Sequence, residues 1–531
     1  TDEDRIAAEE ADFSLAATIG RTLAERQYLA YIAFTRPSEY LWVTYPSVDE
    51  KGTAVVRSQF VGDLESLFED LREESLATGQ NEIENVYNRT DLADFLSSRL
   101  GRDYFSFETD DDGQYNELLD AICSDEQLSA AGSKVFYALN YDNHASLDAD
   151  IVEELFGRRI QSSATRLGTF AACPYQYFAR YTLELKERQE FRFEPLDVGS
   201  FYHRVLDALL KRLNSEEKDF ATTSDEQLIA LLRDQIDKIT KKDSFISNFV
   251  GRRGYNEFVI NSAGRTLEDC VLAIAQMVRA GSFRPKFSEV SFGKAGSTQE
   301  TLGNYELVLP DKRVLSMDGK IDRLDFADVD AQKVALVFDY KRKDKSPNWW
   351  ELYYGLDLQL PIYMLATRNS SSSKVRNVAG AFYMPIESKA KEITLGKLSD
   401  MSERFEHKAK GIFNGRFAQE LDAKATRDSK YYNFYVTKDG EPYGSYGNRG
   451  AVTSEDFTNL LDFAVRKVVA LIMEITSGRI TVNPYRIGTT VACSYCKYKP
   501  VCRFDWQIND YNFLEPVSKS QLLERAGAAD D

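Results

Sequence analysis

One buried strand that ends in charged residues constrains this chain more than any other feature. Residues 334–338 read Val-Ala-Leu-Val-Phe, and Asp339, Tyr340 and Lys341 follow directly. An unbroken apolar run of this length is typical of a strand that is covered on both faces. Side chains two apart share a face of a strand, so Asp339 and Lys341 project together at its end. We expect this geometry to suit a metal ion together with a phosphate.

A second carboxylate lies on the strand that precedes this one. Asp322 belongs to the β-rich stretch 321–326, and pairing of the two strands as a hairpin would bring it to the same point as Asp339. Two carboxylates hold a hard divalent cation, and Lys341 supplies an ammonium group for the nucleophile or the scissile phosphate. A solvated strand end is the alternative, because short motifs such as Asp-x-Lys recur by chance.

Three further polar residues lie on helical patterns. His203 borders the apolar stripe of an amphipathic helix near Gly199, where another backbone can approach, and is either a rim histidine or an additional metal ligand. Gln359 and Tyr363 are one turn apart in a helix that tolerates Pro361 in its first turn. These two side chains either contact a phosphate or the active-site network, or they are a helix-capping glutamine and a core tyrosine.

Three of the six cysteines fall within ten positions near the C-terminus. Two residues separate Cys493 from Cys496 and five separate Cys496 from Cys502, so one loop can place three thiolates around one metal centre. Cys173 is the best candidate for a fourth ligand, although a long stretch of chain intervenes. Four thiolates suit zinc as well as an iron–sulfur cluster. Sparse cysteines favour metal chemistry in a reducing compartment over disulfides, so we expect a cytoplasmic location.

The charge balance excludes one broad class of function. The chain has 66 Lys and Arg residues against 84 Asp and Glu residues, which gives a formal net charge of −18. Proteins that coat nucleic acid by bulk electrostatics are basic, so a nucleic-acid site in this chain must be local or assisted by a metal ion. Its apolar runs are far shorter than the ~18 residues of a membrane-spanning helix, and we expect no membrane association. Because residue 1 is Thr rather than Met, we expect a partial chain.

Periodicity predicts the order of the elements. A helix ends near Thr35 and Arg36, and the β-rich run 39–45 follows Pro37 as a strand. Residues 60–160 are acidic and helix-like, and a helix capped within 162–165 leads to Cys173. A series of strands follows at 287–292, 305–309, 314–317, 321–326 and 334–340. The rest of the chain is rich in helix.

Taken in order, these motifs resemble the RecB-like branch of the PD-(D/E)xK nuclease superfamily. The resemblance is carried by Gly199-Ser200-Phe201-Tyr202-His203, Glu289, Gly319-Lys320-Ile321-Asp322, Asp339-Tyr340-Lys341 and Gln359-x-x-x-Tyr363. With the cysteines on both sides, residues 160–510 look like the nuclease domain of an AddB/RexB-type subunit. Residues 25–46 are similar to the last helicase motif of superfamily 1 proteins and the strand after it. The chain has no Gly-x-x-x-x-Gly-Lys-Ser/Thr loop, so it is not expected to bind ATP by itself.

The resemblance implies a fold and a set of domain boundaries. The expected fold is α/β and restriction-endonuclease-like, with a mixed central sheet flanked by helices, preceded by the end of a helicase-like α/β domain. The expected segments are the end of a superfamily 1 helicase-like domain at 1–60, a helical connector at 61–160, the nuclease domain at 161–510 and a C-terminal tail at 511–531.

The resemblance also implies roles for individual residues. It implies catalytic roles for Asp322, Asp339, Lys341, Gln359 and Tyr363. Ligands for Mg²⁺ or Mn²⁺ would be His203, Asp322, Asp339 and the Tyr340 carbonyl. A [4Fe-4S] cluster would be held by Cys173, Cys493, Cys496 and Cys502, and would act as a staple that joins the two ends of the domain. Glu289 and Arg36 are left without a role.

The implied function is a metal-dependent DNA exonuclease subunit of a helicase–nuclease that resects double-strand breaks. It would cut single-stranded DNA and work beside an AddA-type helicase–nuclease subunit. One alternative is a nuclease-inactive, DNA-binding scaffold with a structural four-cysteine metal site. The others are a stand-alone iron–sulfur exonuclease of the CRISPR-associated type and a plain zinc protein whose Asp/Lys motif is accidental.

Overall fold

The chain is described here from a computed structural model. The structure describes residues 5, 8–10, 19–48, 53–68, 71, 73, 86–105, 114–141, 143, 145–186, 195–251, 254–293, 301–370, 377–388, 407–506 and 508–528. The chain divides into two compact units, Thr1–Asn140 and Tyr141–Asp531. No helix in these ranges combines the length and the apolar character that crossing a membrane requires.

The first unit is helical in its described part. Its longer helices are α1 (Ile19–Thr35), α2 (Gln59–Leu67), α3 (Arg89–Phe105), α4 (Gln114–Ser124) and α5 (Ser129–Leu139). A small apolar core joins α3, α4 and α5, and it includes Leu96, Ile122 and Val135. These three helices therefore stabilise one another by burying a shared apolar face.

The predicted helix before Pro37 is confirmed, but the predicted strand after it is wrong. Helix α1 ends at Thr35, whereas residues 39–45 form no strand and Trp42 is 86% exposed. A strand needs a neighbour to which its backbone can hydrogen-bond. The described part of this unit offers only the short bridge between Val48 and Ala54.

The second unit contains all the remaining elements. Its helices are α6 (Ala149–Phe156), α7 (Ala164–Ala172), α8 (Pro174–Tyr177), α9 (Pro195–Ser215), α10 (Asp225–Lys242), α11 (Ser244–Val250), α12 (Gly254–Ala280), α13 (Trp349–Tyr354), α14 (Gln359–Arg368), α15 (Ala418–Leu421), α16 (Ser454–Ile475), α17 (Lys499–Cys502) and α18 (Lys519–Gly527). Its strands are β1 (Arg159–Ser163), β2 (Arg284–Phe292), β3 (Tyr305–Val308), β4 (Val314–Val329), β5 (Gln332–Lys341), β6 (Asn377–Pro385), β7 (Lys410–Asn414), β8 (Ala451–Val452), β9 (Tyr485–Ile487), β10 (Thr490–Val491) and β11 (Asn512–Phe513).

Eight of these strands form one mixed sheet. The strand order is β1-β4-β5-β6-β7-β8, and β2 and β3 pair with two halves of β4. Strands β4 and β5 form an antiparallel hairpin that turns at Asp330 and Ala331, whose φ angles are +51° and +59°. Strand β5 pairs with β6 in parallel, and the chain crosses between them through α13 and α14. The predicted α/β class, with helices around a mixed sheet, is confirmed.

Strand β4 corrects the expectation of two strands at 314–317 and 321–326. It runs unbroken through Asp318, Gly319 and Lys320, because it changes partners there instead of turning. Its first half pairs with β1 and β3, and its second half pairs with β2 and β5. A Cβ atom at Gly319 would lie 2.3 Å from the Phe292 ring, so only glycine lets the two strands approach at this crossing.

Successive side chains of β5 point to opposite faces of the sheet, and each face is covered by its own part of the hydrophobic core. Ala335 and Val337 pack with α7, α14 and α16, while Leu336 and Phe338 pack with α9 and α12. The odd-numbered face therefore continues to Asp339 and Lys341 at the end of the strand. The α14 side of the sheet is the side on which these two charged residues lie.

A buried lysine attaches the C-terminal helix to this sheet. Lys519 at the start of α18 is 1% exposed, and its Nζ atom donates hydrogen bonds to the carbonyl oxygens of Tyr446 (2.8 Å), Arg449 (3.0 Å) and Ala451 (2.7 Å). An ammonium group has three N–H donors, so the three acceptors match it fully. Ala451 begins β8, and the contact therefore joins α18 to the edge of the sheet.

Replacing this lysine should destabilise the second unit. Lys519→Met keeps the length of the side chain but leaves three carbonyl groups without a donor, which should lower the free energy of unfolding by roughly 2–5 kcal/mol. Urea unfolding followed by circular dichroism measures the change. Lys241→Met is the matched control, since the Lys241 side chain is 80% exposed. Equal unfolding midpoints for the two variants would contradict the structural role of Lys519.

Candidate active site

The Asp339 and Lys341 side chains meet at the end of β5. Asp339 is 3% exposed, and the Lys341 Nζ atom lies 2.5 Å from its Oδ2 atom. The Lys341 ammonium group forms an ion pair with Oδ2, and no other donor among the described residues reaches this oxygen. The strand therefore holds a buried carboxylate oxygen that is open to a further cation.

Helix α14 brings a polar pair to the same carboxylate. Gln359, its first residue, donates from Nε2 to Asp339 Oδ1 (2.6 Å) and accepts from Lys341 Nζ at Oε1 (3.0 Å). The same Nε2 atom donates to the Tyr363 hydroxyl (3.0 Å), which is one turn further along the helix. Tyr363 is buried, as a core tyrosine would be, but its hydroxyl belongs to this network. The glutamine therefore fixes the positions of both Asp339 and Lys341.

Asp322 reaches the site from β4, through the hairpin with β5. It is 7% exposed, and its Oδ2 atom accepts a hydrogen bond of 2.6 Å from the Tyr340 backbone N–H. This bond places the Asp322 carboxylate beside the backbone that separates Asp339 from Lys341. The Tyr340 side chain points to the other face, where its hydroxyl accepts from Arg323 Nη1 (3.1 Å) and its ring contacts the His203 ring edge-on.

His203 and Glu289 complete a group around Asp322. The His203 Nδ1 atom lies 3.0 Å from Asp322 Oδ1 and 3.8 Å from Glu289 Oε1. One ligand atom from each of the three residues lies within 4.8 Å of the others, a spacing that can hold a metal ion. Asp339 is not part of this closest group. His203 thus lies in the site, but the expectation of a close backbone at Gly199 is wrong for the described residues, which leave open space there.

Glu289 is the functional candidate to which sequence reasoning gave no role. Its φ angle of +55° is in the left-handed region, which costs a non-glycine residue about 1 kcal/mol or more. Ser288 pairs with Arg323 and Val290 with Ile321, so Glu289 lies opposite Asp322 without a regular pairing. No periodic pattern in the sequence reports such a conformation.

The charges of these groups perturb one another. Burial opposes protonation of His203, but its hydrogen bonds to Asp322 and Glu289, together with their charges, raise its pKa to about 10. Burial also works against ionisation of Glu289, yet the contacts with His203 and Lys320 hold the pKa of this carboxyl below its ordinary value. The protonated imidazole therefore occupies the place of a cation between two carboxylates.

Asp339 shows the opposite behaviour. Burial, and after it the charge of Asp322, raises the pKa of Asp339 to about 7, although Lys341 and His203 work in the other direction. Two buried carboxylates that repel each other are stabilised by a divalent cation. The donor set of carboxylate oxygens and one imidazole suits Mg²⁺ or Mn²⁺, and the buried Asp339 Oδ2 atom, which has only the Lys341 ion pair, agrees with it.

A second set of polar residues supports the first from the neighbouring strand β6 and the residues before α14. Tyr383 on β6 pairs in register with Asp339, and its ring lies 5.2 Å from Lys341 Nζ. Its hydroxyl donates to Asp357 (2.8 Å), which also forms an ion pair with Lys345 (2.7 Å). The register of β6 against β5 is set by the folded sheet, so no pattern in the sequence singles out Tyr383.

The four predicted cysteine ligands line one separate hollow. Cys173 lies between α7 and α8, and Cys493, Cys496 and Cys502 lie in the C-terminal loop around α17. The hollow between them has a volume of about 20 Å³. All four are free thiols, and burial raises the pKa of Cys493 to about 11, with a further rise from the other three sulfur groups. Four converging thiols around a small space fit a four-thiolate metal centre.

Backbone and side-chain hydrogen bonds bring the two ends of the unit together at this hollow. The Tyr175 N–H donates to the Thr481 carbonyl (3.2 Å), and the Tyr498 hydroxyl donates to the Leu185 carbonyl (3.2 Å). Cys173 is therefore held beside the C-terminal loop even without a metal. None of the four cysteines is in the carboxylate group described above, so the structure contains two distinct candidate sites.

Comparisons with known proteins agree with this geometry. The model of the PD-(D/E)XK nuclease superfamily matches residues 161–503, which include every residue of both candidate sites. The chain belongs to this superfamily. The recognition made from the motifs is thereby confirmed at the level of the nuclease family.

Similar curated proteins extend the likeness to nearly the whole chain. They are B-type subunits of an ATP-dependent helicase/deoxyribonuclease. The chain is 29% identical to the one from Moorella thermoacetica over 96% of its length, and 28% identical to the one from Symbiobacterium thermophilum over 100%. A protein of the same name from Bacillus mycoides is 27% identical over 99%. The chain spans 44–46% of the length of these relatives.

A metal ion that uses His203 as a ligand must displace the proton from its ring. Because the pKa of His203 is raised to about 10 in the metal-free protein, binding of Mn²⁺ at about pH 8.5 should release close to one proton. Calorimetry in buffers of different ionisation enthalpy counts this proton, and His203→Gln should lose it and bind Mn²⁺ more weakly. Equal proton release from the two proteins would show that His203 is not a ligand.

Proposed function

We propose that this chain is the nuclease-containing part of an AddAB/RexAB-type helicase–nuclease subunit, and that it hydrolyses DNA with a divalent metal ion. One observation carries the proposal. Three elements bring these residues to one point: β4 carries Asp322, β5 carries Asp339 and Lys341, and α14 carries Gln359, which hydrogen-bonds to both β5 residues, while Asp322 accepts from the Tyr340 backbone between them. A chance Asp-x-Lys motif or a solvated strand end would not be buried in this way or be surrounded by such partners.

The proposed roles follow from the contacts. Asp322 and Asp339, together with His203 and the Tyr340 carbonyl, would hold Mg²⁺ or Mn²⁺, and the structure adds Glu289 as a candidate. When bound, the metal ion supplies a Lewis acid that polarises the phosphate. Lys341 would orient the attacking water or help to deprotonate it, and its ammonium group would offset the charge that develops on the phosphate oxygens.

Gln359 and Tyr363 would support this arrangement from α14. The Gln359 amide contacts both Asp339 and Lys341 and has no freedom to rotate without breaking one contact. The Tyr363 hydroxyl accepts from the same amide and stays protonated, because burial, followed by the charge of Asp339, raises its pKa well above the ordinary value. We infer that this pair keeps the lysine aimed at the phosphate while DNA binds.

We further propose that Cys173, Cys493, Cys496 and Cys502 hold a [4Fe-4S] cluster. Its role would be structural, because it would join residue 173 to a loop more than three hundred residues later and so constrain the unfolded chain. Four thiols around one hollow support a metal centre of this kind. The burial of Cys173, which is 8% exposed, agrees with a role in tying two segments together.

The setting of the activity is also part of the proposal. The relatives are named as one subunit of a helicase/deoxyribonuclease, and we propose an AddA-type partner, a single DNA strand as substrate and a role in double-strand break resection in the cytoplasm. We propose residues 161–510 as the nuclease domain, with the end of a helicase-like domain at 1–60, a connector at 61–160 and a tail at 511–531. Arg36 keeps no assigned role.

Removal of the catalytic lysine tests the proposed reaction. Lys341→Met should reduce Mg²⁺-dependent cleavage of single-stranded DNA by about 10²-fold or more, because the charge on the transition state loses its nearest ammonium group. Binding of the same DNA without metal should stay within about threefold. Lys343→Met changes an exposed lysine of the same segment and serves as the control. Full cleavage by the Lys341 variant would remove the catalytic assignment.

Metal analysis tests the cysteine site separately. Protein purified without oxygen should contain about four iron and four sulfide per chain, since a cuboidal cluster takes four ligands. Cys173→Ser should lose both, whereas Cys270→Ser should keep them, because Cys270 is buried in another core and lies outside the hollow. Zinc without iron, unaffected by the Cys173 change, would confine the metal to the C-terminal loop and contradict the proposed cluster.

A further inference from the structure

A hollow of about 460 Å³ lies at the β7 side of the second unit, away from both candidate sites. One wall is the last turn of α12, with Gln276 and Arg279, and the other is the loop 422–431 that follows α15. This loop contributes three exposed cations, Lys424, Arg427 and Lys430. Basic residues therefore cluster here in a chain whose net charge is −18.

Each acidic residue that lines this hollow already has a partner of its own. Asp428 forms ion pairs with Lys408 (2.9 Å) and Arg449 (3.0 Å). Asp422 is buried and accepts a hydrogen bond from the Ser429 hydroxyl (2.7 Å).

The cations are neutralised only in part. Arg279 pairs with Asp225 (2.7 Å), but Lys424, Arg427 and Lys430 have no ion pair with any residue in the described ranges. The surface open to solvent is therefore positive, as a binding site for a polyanion must be.

The loop that carries these cations is fixed by hydrogen bonds. The Ser429 hydroxyl oxygen, which is fully buried, also accepts from the backbone N–H groups of Tyr431 (3.3 Å) and Tyr432 (3.2 Å). The Ala423 N–H donates to the Ala280 carbonyl at the end of α12 (3.1 Å). The backbone that carries the three cations is therefore already ordered, so binding costs less conformational entropy.

The sheet register connects this loop to the candidate active site. Asp339 on β5 pairs with Tyr383 on β6, and Tyr383 pairs with Lys410 at the start of β7. The Ala409 N–H, one residue earlier, donates to the Tyr431 carbonyl of the loop (2.8 Å). Since neighbouring strands are about 4.8 Å apart, β7 begins about 10 Å from the Asp339 row along the same edge.

We propose that this basic hollow binds the phosphodiester backbone of the DNA strand that is being cut, several nucleotides from the scissile phosphate. The proposal rests on the proposed nuclease function. The cations are spread over an open loop, which suits successive phosphates of a chain better than the converging donors of a single-anion site. The hollow lies on the α12 face of the sheet and Asp339 on the α14 face, so the strand would pass around the ends of β6 and β7 between Asp339 and the three cations of the loop.

The test compares two variants of equal charge change. Lys424→Gln/Arg427→Gln/Lys430→Gln removes the cations of the hollow. Arg233→Gln/Lys238→Gln/Lys241→Gln removes three exposed cations of α10, each paired with an acidic residue. Fluorescence anisotropy with a labelled oligodeoxynucleotide of about 30 nucleotides, without divalent metal and over a range of salt concentrations, measures binding.

The hollow variant should bind this oligonucleotide on the order of tenfold more weakly at low salt. The slope of log affinity against log salt should become shallower by about 2, since three phosphate contacts on a single strand are lost. The α10 variant should have the affinity and the salt dependence of the unmodified protein. Unchanged binding by the hollow variant, or an equal loss in the α10 variant, would overturn the proposal.

Cleavage of two substrates separates this proposal from the nuclease assignment. With Mg²⁺, the hollow variant should cut an oligonucleotide of about 4 nucleotides at the rate of the unmodified protein and cut one of about 30 nucleotides several-fold more slowly at low concentration. If the unmodified protein cuts neither substrate, the nuclease function itself fails. If both proteins cut both substrates alike, the nuclease function stands and the hollow is not part of the DNA path.

Discussion

Carboxylates of like charge lie close together and away from water where the middle of β4 meets the end of β5 and the bent part of β2. Asp322 and Asp339 are almost fully buried, and burial of unpaired charges is among the most costly arrangements in a protein. Neighbouring cationic side chains reduce the repulsion between these carboxylates. His203 takes up a proton between Asp322 and Glu289, and Lys341 is the one cation among the described residues that lies against Asp339 Oδ2. One divalent cation, bound among these residues, would neutralise the carboxylates of Asp322, Asp339 and Glu289 more fully than the separate side chains do.

The fold is arranged so that these charges cannot move apart. The β4–β5 hairpin sets the separation of the two aspartates, and the bond from the Tyr340 backbone to Asp322 locks it. Glu289 is directed at the group by a strained backbone that the surrounding sheet maintains. From the start of α14, Gln359 hydrogen-bonds to both Asp339 and Lys341. Strain and buried charge that persist together in one place are typical of a functional site rather than a structural one.

Much of this site could be predicted because it depends on local periodicity. The two-residue repeat of a strand puts Asp339 and Lys341 on one face, the helical repeat puts Gln359 beside Tyr363, and a hairpin is the simplest way to bring Asp322 near. What escaped prediction depends on features without a period. Glu289 reaches the site through a positive φ angle, and β4 passes through Gly319 because the strand changes partners there.

The remaining features depend on contacts between residues that are far apart in the sequence, which sequence patterns do not report. The spacing of Cys493, Cys496 and Cys502 predicts a shared centre, but only the folded chain brings Cys173 beside them. The run at 39–45 has the composition of a strand, yet strands also need a neighbour, and composition cannot report whether one is present. The basic loop 422–431 was not singled out because its cations gain significance only from their position relative to α12 and the sheet edge.

The most direct measurement of the central claim is the location of a bound metal ion. Crystals of this chain soaked in Mn²⁺ should give an anomalous scattering peak among His203, Asp322 and Asp339, and Asp322→Asn should abolish it. Such a peak would establish the cluster of buried carboxylates as the metal centre of the nuclease. A peak at another position would contradict the account. The absence of a peak in protein whose four cysteines hold their metal would contradict it as well.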